Sequence, residues 1–121
     1  MQRTYTRKIL DVVTTGNSGY IDTHYLKEMQ LLVVSVGDAV DSQATTTFYG
    51  SADATNNYKL GITQALDSST LDADGVIVYD NTALQTILYN VSGVHPYIYI
   101  DEVATTAIIG IKVYLIGQEE V

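Results

Sequence analysis

The sequence predicts an all-β protein, folded as a single antiparallel β-sandwich or jelly-roll-like barrel. Short runs of β-branched and aromatic residues recur along its 121 residues, with turn signals at intervals of about 8–12 residues. No stretch has the apolar spacing of an amphipathic helix. A hydrophobic fraction of 46% with 17% charged residues fits a globular domain with a substantial core. One two-layer β domain follows from these observations.

The individual strands follow from alternation and from the turns between them. Residues 1–8 are polar and basic without clear periodicity, which predicts a short arm before a β-sandwich domain of residues 9–121. Residues 24–27 are ambiguous between extended chain and a helical turn. Residues 29–36 are apolar on both faces over most of their length, as in an interior strand. The other predicted strands and extended pieces are residues 9–15, 20–23, 43–49, 58–62, 76–79 and 84–91.

The strongest strand signals lie near the end of the chain, in residues 96–103 and 108–117. A short Thr/Ala link separates the two runs, which predicts a β-hairpin. In the second run Ile111, Val113 and Leu115 alternate with other residues, so they are expected on one buried face. The strength of this run also predicts an interior position in a sheet.

The tyrosines of this region are candidate contact residues. Tyr97 and Tyr99 alternate with isoleucines and therefore face the same way, and Tyr114 is expected to join them across the hairpin. Strand propensity on a half-buried face accounts for all three. A subunit interface, where tyrosine is enriched, and a sugar-stacking platform are the alternatives.

Charge is distributed unevenly along the chain. The formal net charge of −8 argues against direct binding of nucleic acid by the domain body, because like charges repel. Arg3, Arg7 and Lys8 are half of the six basic residues. With Tyr5 as an anchor, they predict an arm that docks on an acidic partner surface, such as a neighbouring copy or the capsid shell. A frayed terminus without a role is the alternative. No apolar run approaches the roughly 20 residues of a membrane span, so no membrane partner is expected.

Residues for catalysis or metal binding form no recognisable constellation. The segment 72–75 (Asp-Ala-Asp-Gly) is an incomplete calcium loop, although a sandwich loop could still hold a structural calcium through Asp67 and the two acids of that segment. His24 and His95 are far apart in sequence, and there is no cysteine. We therefore expect a protein that is not an enzyme and has no cofactor or metal. A small β-enzyme with paired carboxylates remains an alternative.

Four segments carry a family resemblance: residues 18–23, 31–37, 48–53, and the ending formed by 97–100 and 107–117. Their order and spacing resemble small all-β head proteins of tailed bacteriophages, the decoration or capsid cement proteins among them. The resemblance implies a virion structural protein on the outside of a capsid, made in the host cytoplasm. It implies binding to the major capsid protein and self-association as a dimer or trimer. No functional residue is carried over from the family.

Two further functions remain open at this point. One is a carbohydrate-binding β-sandwich module on the virion, with Tyr97, Tyr99 or Tyr114 stacking on sugar. The other is a component of the tail or of head completion, which would use protein contacts in the same way as a decoration protein.

Overall fold

The computed structural model describes residues 2–12, 15–36, 43–64, 77–80, 85–104 and 110–120. Among these residues the chain forms eleven β-strands: β1 (Gln2–Val12), β2 (Gly16–Asn17), β3 (Ile21–Asp22), β4 (Leu26–Val36), β5 (Gln43–Ser51), β6 (Asn57–Lys59), β7 (Ile62–Gln64), β8 (Ile77–Asp80), β9 (Gln85–Val91), β10 (Tyr97–Ala104) and β11 (Gly110–Glu120). No helix in this part of the chain is long and apolar enough to cross a membrane.

The strands form two antiparallel sheets that pack as a sandwich, which confirms the predicted fold class. The five-stranded sheet has the order β1-β11-β4-β9-β7. The six-stranded sheet has the order β2-β10-β5-β6, with β3 also paired to β10 and β8 also paired to β5. The last strand, β11, lies between β1 and β4, so its predicted interior position is confirmed.

The core lies between the sheets and is built from the alternating apolar residues of the central strands. The fully buried rows are Leu31 and Val33 on β4, Ile98 and Ile100 on β10, and Ile111, Val113 and Leu115 on β11. Phe48 and Tyr89 meet from opposite sheets, with ring centroids 5.9 Å apart in an edge-to-face arrangement. The predicted inward face of the second C-terminal run is therefore confirmed.

The predicted N-terminal arm is wrong. Gln2 to Val12 form one strand that pairs along β11, from Gln2 opposite Glu120 to Val12 opposite Ile111. The segment lacks an apolar pattern because it is an edge strand, and exposed polar and charged side chains are usual there. Consequently residues 2–8 are part of the sandwich domain rather than an appendage to it.

The predicted C-terminal hairpin is also wrong. β10 pairs with β2, β3 and β5, whereas β11 pairs with β1 and β4, so consecutive strands belong to opposite sheets. Alternation determines which face of each strand is buried, but it does not determine whether two strands pair side by side in one sheet. Their apolar faces can be buried equally well when the strands lie in opposite sheets and face each other across the core. The link between them, residues 105–109, lies outside the described residues.

Smaller differences concern the bounds of elements. The predicted strand 58–62 is divided into β6 and β7, which belong to different sheets and are separated by Leu60 and Gly61. Residues 24 and 25 form a turn without a helix, and β4 begins at Leu26. The acidic segment 65–76, with its candidate calcium ligands Asp67, Asp72 and Asp74, lies outside the described residues.

Candidate functional site

The residues predicted to bind a partner lie on three separate surfaces of the sandwich. They are Arg3, Tyr5, Arg7 and Lys8 on β1, Tyr97 and Tyr99 on β10, and Tyr114 on β11. Since β10 and β11 belong to different sheets, Tyr114 does not join Tyr97 and Tyr99, contrary to the prediction.

The first surface lies at the free edge of β1 and includes Arg3, Tyr5 and Arg7. Strand alternation places these three side chains on the inner side of β1, where Tyr5 is opposite Gly117 and Arg7 is opposite Leu115. Tyr5 packs against the core, whereas both arginines are exposed. We name this group, together with Tyr25 from the turn before β4, the edge surface.

Two tyrosines form the centre of the edge surface. The rings of Tyr5 and Tyr25 meet edge to face with centroids 5.6 Å apart. Partial burial, followed by a side-chain hydrogen bond with Tyr5, raises the pKa of Tyr25 to about 12, so its hydroxyl remains protonated at neutral pH. Tyr25 is nevertheless 36% exposed, which leaves an aromatic surface beside Arg7 for a partner.

Arg3 and Lys8 on β1 each form an ion pair with an acidic side chain. Arg3 donates from Nε to Oε1 of Glu119 at 2.6 Å. Lys8 donates to Oδ2 of Asp11 at 2.9 Å, and this hydrogen bond raises the pKa of Lys8 and lowers that of Asp11. Lys8 lies opposite Tyr114 on the outer side of the sheet and so is not part of the edge surface.

The edge surface has the composition and backbone needed for a protein contact. Tyrosine and arginine dominate the binding energy of many interfaces. β1 is also the terminal strand of its sheet, so one row of its backbone N–H and C=O groups has no strand partner among the described residues. Such an edge can accept an extended segment from another chain.

The second surface is an aromatic cluster on the outer face of the six-stranded sheet. Tyr49 and Tyr99 are directly opposite each other on β5 and β10, with ring centroids 6.3 Å apart. Tyr20 packs on Tyr99 at 5.2 Å, and its hydroxyl donates to Oδ1 of Asn57 at 2.6 Å. Tyr97 lies on the same face of β10, two residues from Tyr99, which confirms that the two face the same way.

The third surface is the outer face of the five-stranded sheet, which carries Tyr114. Its central residues alternate with the buried rows of β4, β9 and β11 and are only partly exposed. Cross-strand pairs place Leu32 between Tyr114 and Leu88. Among the described side chains, the apolar residues of this outer face are Leu32, Val34, Leu88, Tyr114 and Ile116.

A buried carboxyl group was missed at the sequence level. Glu102 is 0% exposed on the inner side of β10, where Oε2 accepts a hydrogen bond from the Thr46 hydroxyl and Oε1 has no partner. Burial is the main cause that raises its pKa to about 8, and the hydrogen bond from Thr46 opposes the rise. The alternation of Ile98 and Ile100 continues to position 102, so the sequence pattern was sufficient to place Glu102 on the inner face of the strand.

The two histidines lie in separate hydrogen-bond networks. His24 contacts Asp22 through Nδ1, and this contact lowers the pKa of Asp22. His95 donates from Nε2 to the carbonyl of Ser92 and shares a hydrogen bond between Nδ1 and the Tyr58 hydroxyl, both at 2.8 Å. Within the described part of the chain, no group of three or more His, Asp or Glu side chains is arranged to hold a metal ion.

The sequence matches no protein family model and no curated protein. Among solved structures, the chain is similar to the crystal structure of the SPBc2 prophage-derived protein YomS. The TM-score is 0.64 at 12% sequence identity, and the superposition covers 98% of this chain and 96% of that chain. At this identity the likeness establishes a shared fold over the whole domain: this chain has the β-sandwich fold of a prophage-derived protein.

Proposed function

We propose that this chain is a structural protein of a phage virion that binds the outside of the capsid shell and stabilises it through protein–protein contacts. Its partner in this proposal is the major capsid protein, and it acts by contact rather than by catalysis. A protein that binds the assembled shell and not the free subunit stabilises the shell by mass action.

The edge surface is the observation that carries the proposal. It offers a tyrosine pair, two arginines and a strand edge with no strand partner in the described part of the chain, on one side of a protein whose net charge is −8. A basic edge on an acidic body orients the chain towards an acidic target, because the rest of its surface is repelled. The fold shared with a prophage-derived protein supports a phage origin.

Binding to purified heads tests the proposal. Heads assembled from the major capsid protein encoded in the same genome are mixed with the purified chain and sedimented through a gradient. We expect the chain to sediment with the heads and to raise the temperature at which they disrupt. A wild-type chain that remains at the top of the gradient would refute the proposed capsid role.

Charge reversal at matched positions tests the edge surface itself. Arg7→Glu changes an exposed cation of β1, and Lys59→Glu makes the same change of charge at an exposed position of β6. We expect Arg7→Glu to lower occupancy on heads about tenfold or more and Lys59→Glu to leave it near wild type. Equal effects of the two substitutions would assign binding to net charge and not to this surface.

A carbohydrate-binding module is the second candidate, and the aromatic cluster on the six-stranded sheet favours it. Tyr20, Tyr49 and Tyr99 form a continuous ring surface, and the Tyr20 hydroxyl is held by Asn57. Aromatic faces of this kind can stack on sugar rings. A glycan array with wild-type protein and Tyr20→Ala tests this function, and specific binding lost in the variant would support it.

A role in the tail or in head completion differs from decoration by position in the virion. Electron microscopy of virions that carry a labelled copy of the chain distinguishes the two roles. Density on the capsid lattice supports decoration, whereas density at the tail or at one vertex supports the alternative.

A further inference from the structure

The outer face of the five-stranded sheet is unusually apolar for the solvent side of a two-layer sandwich. Antiparallel sheets of this kind normally alternate apolar residues on the core side with polar residues on the solvent side. Here Leu32, Leu88 and Tyr114 form a row across three neighbouring strands. Val34 and Ile116 flank this row on either side along the strands.

Polar residues surround this apolar centre. Gln30 donates a side-chain hydrogen bond to Asn90 at 2.7 Å, and Thr6, Thr86 and Gln118 complete much of the rim. An apolar centre with a polar rim is the usual anatomy of a protein–protein interface. The same surface continues into a depression of about 450 Å³ whose lining includes Gln30, Asn90 and Ile116.

We propose that two copies of this chain stack face to face through the outer faces of their five-stranded sheets. The area of this sheet face is close to what contact with a second copy requires. Three strands of 11 residues, one of seven and one of three cover about 700 Å², at about 3.4 Å per residue and about 4.8 Å between strands. A standard interface buries about 800 Å² of each partner, so one face supplies nearly the whole contact.

Charge explains why the occupant is a second copy. The chain has a net charge of −8, yet the described side chains of this face nearly balance in charge, because Lys8 is bound to Asp11 and Lys112 and Glu28 have opposite signs. Two copies therefore repel each other least when these faces meet. Lys27 is the extra residue of the bulge between Leu26 and Glu28 and lies outside the regular alternation.

The same charges select the symmetry of the pair. A two-fold axis parallel to the strands would keep Lys112 of both copies at one level along the strands and Glu28 of both copies at another, so that the opposite charges would not meet. An axis across the strands at the level of Tyr114 instead packs the row of Leu32, Leu88 and Tyr114 against its own copy. It also brings Lys112 of each copy towards the Glu28 end of the other, and such an isologous contact closes as a dimer.

Sedimentation equilibrium over a hundredfold range of concentration tests the dimer. We expect a monomer–dimer equilibrium for the wild type and a dissociation constant at least about a hundredfold higher for Leu32→Glu, which places a carboxylate at the centre of the contact. Val103→Glu is the matched control, since Val103 is 44% exposed on the outer face of the other sheet. We expect this control to dimerise like the wild type.

A charge swap between Lys112 and Glu28 tests the symmetry of the dimer. Recovery of dimerisation in the double variant would not occur if either residue acted only by stabilising the fold. Glu28 is opposite Gln118, so it lies six residues along β11 from Lys112, which is about 20 Å and too far for a contact within one copy. We expect Lys112→Glu and Glu28→Lys each to weaken the dimer by about tenfold, and the double variant to recover most of the loss. Thermal melting of each variant checks its fold, because Lys112 also faces Asp11 across the ladder.

Two outcomes would overturn the proposal: a wild type that remains monomeric at every concentration, and a Leu32→Glu variant that dimerises as well as the wild type. If dimers form but the double variant recovers nothing, the two-fold arrangement is refuted. Since the readout is oligomeric state without capsids, it is independent of the proposed capsid role.

Discussion

Replacing Glu102 by glutamine should stabilise the protein, and the gain should depend on pH. The carboxyl group is fully buried and has one oxygen without a hydrogen-bond partner. Its pKa in the folded protein is about 8, whereas the ordinary value for a glutamate is 4.5. An ionised carboxylate in this place would lack the solvation that it has in the unfolded chain.

The direction of the pH dependence follows from proton linkage. Below about pH 4.5 the carboxyl is protonated in both states and causes no loss of stability. Between about pH 4.5 and 8 the unfolded chain loses the proton while the folded protein keeps it, so the free energy of unfolding falls as pH rises. At pH 7 the accumulated loss is about 3 kcal/mol, at about 1.4 kcal/mol for each unit of pH.

Glu102→Gln keeps the shape and the hydrogen bond from Thr46 but cannot ionise. We therefore expect the variant to match the wild type near pH 4 and to exceed its stability by about 3 kcal/mol at pH 7. Urea unfolding followed by far-UV circular dichroism from pH 4 to pH 8.5 measures this difference, since contributions from other acids cancel between the two proteins. Parallel pH profiles of wild type and Glu102→Gln would refute the reasoning.

Two further substitutions and one deletion test the fold. Ile111→Asp places a carboxylate on the fully buried row of β11 and should prevent folding, and a soluble variant with unchanged melting temperature would contradict this. Deletion of residues 1–8 should lower the melting temperature sharply, because it removes most of β1 and uncovers one edge of β11. Gly117→Ala should lower the free energy of unfolding, measured in urea, by about 1–3 kcal/mol, because the new Cβ would lie 2.9 Å from the methyl groups of buried Leu26. Gly61→Ala is the control, and little loss is expected because its Cβ would lie 3.4 Å from the nearest neighbouring atom.

The inward faces of the central strands were predictable from the sequence because alternation with period two is a local property. Ile111 and Val113 are buried as their pattern indicates, and the same rule identifies Glu102 as an inward residue once it is extended along β10. Burial of a charged residue type is rare, so composition alone would assign this glutamate to the surface.

Strand partners were not predictable, because the alternation of one strand does not specify its neighbour. β10 and β11 have equally apolar inner faces and adjacent positions in the chain, yet they pair in different sheets. β1 shows the opposite case: its hydrogen bonds to β11 define it as a strand, although Arg3, Arg7 and Lys8 give it no apolar pattern. The prediction grouped Tyr114 with Tyr97 and Tyr99 for the same reason, because this grouping depends on sheet membership, which the alternation of single strands does not specify.

The apolarity of residues 29–36 on both faces has two separate physical causes. An interior position explains why Leu31 and Val33 are buried in the core. It does not explain Leu32, because in a two-layer sandwich even a central strand exposes its second face to solvent. The proposed dimer supplies the missing cause by covering that face with a second copy. Since the contact lies on the sheet face and the edge surface lies at the rim of β1, a dimer leaves both edge surfaces free. In the proposed capsid role, one such pair would contact the shell through two edge surfaces at once, and binding at two points would raise the strength of attachment without any additional contact in either copy.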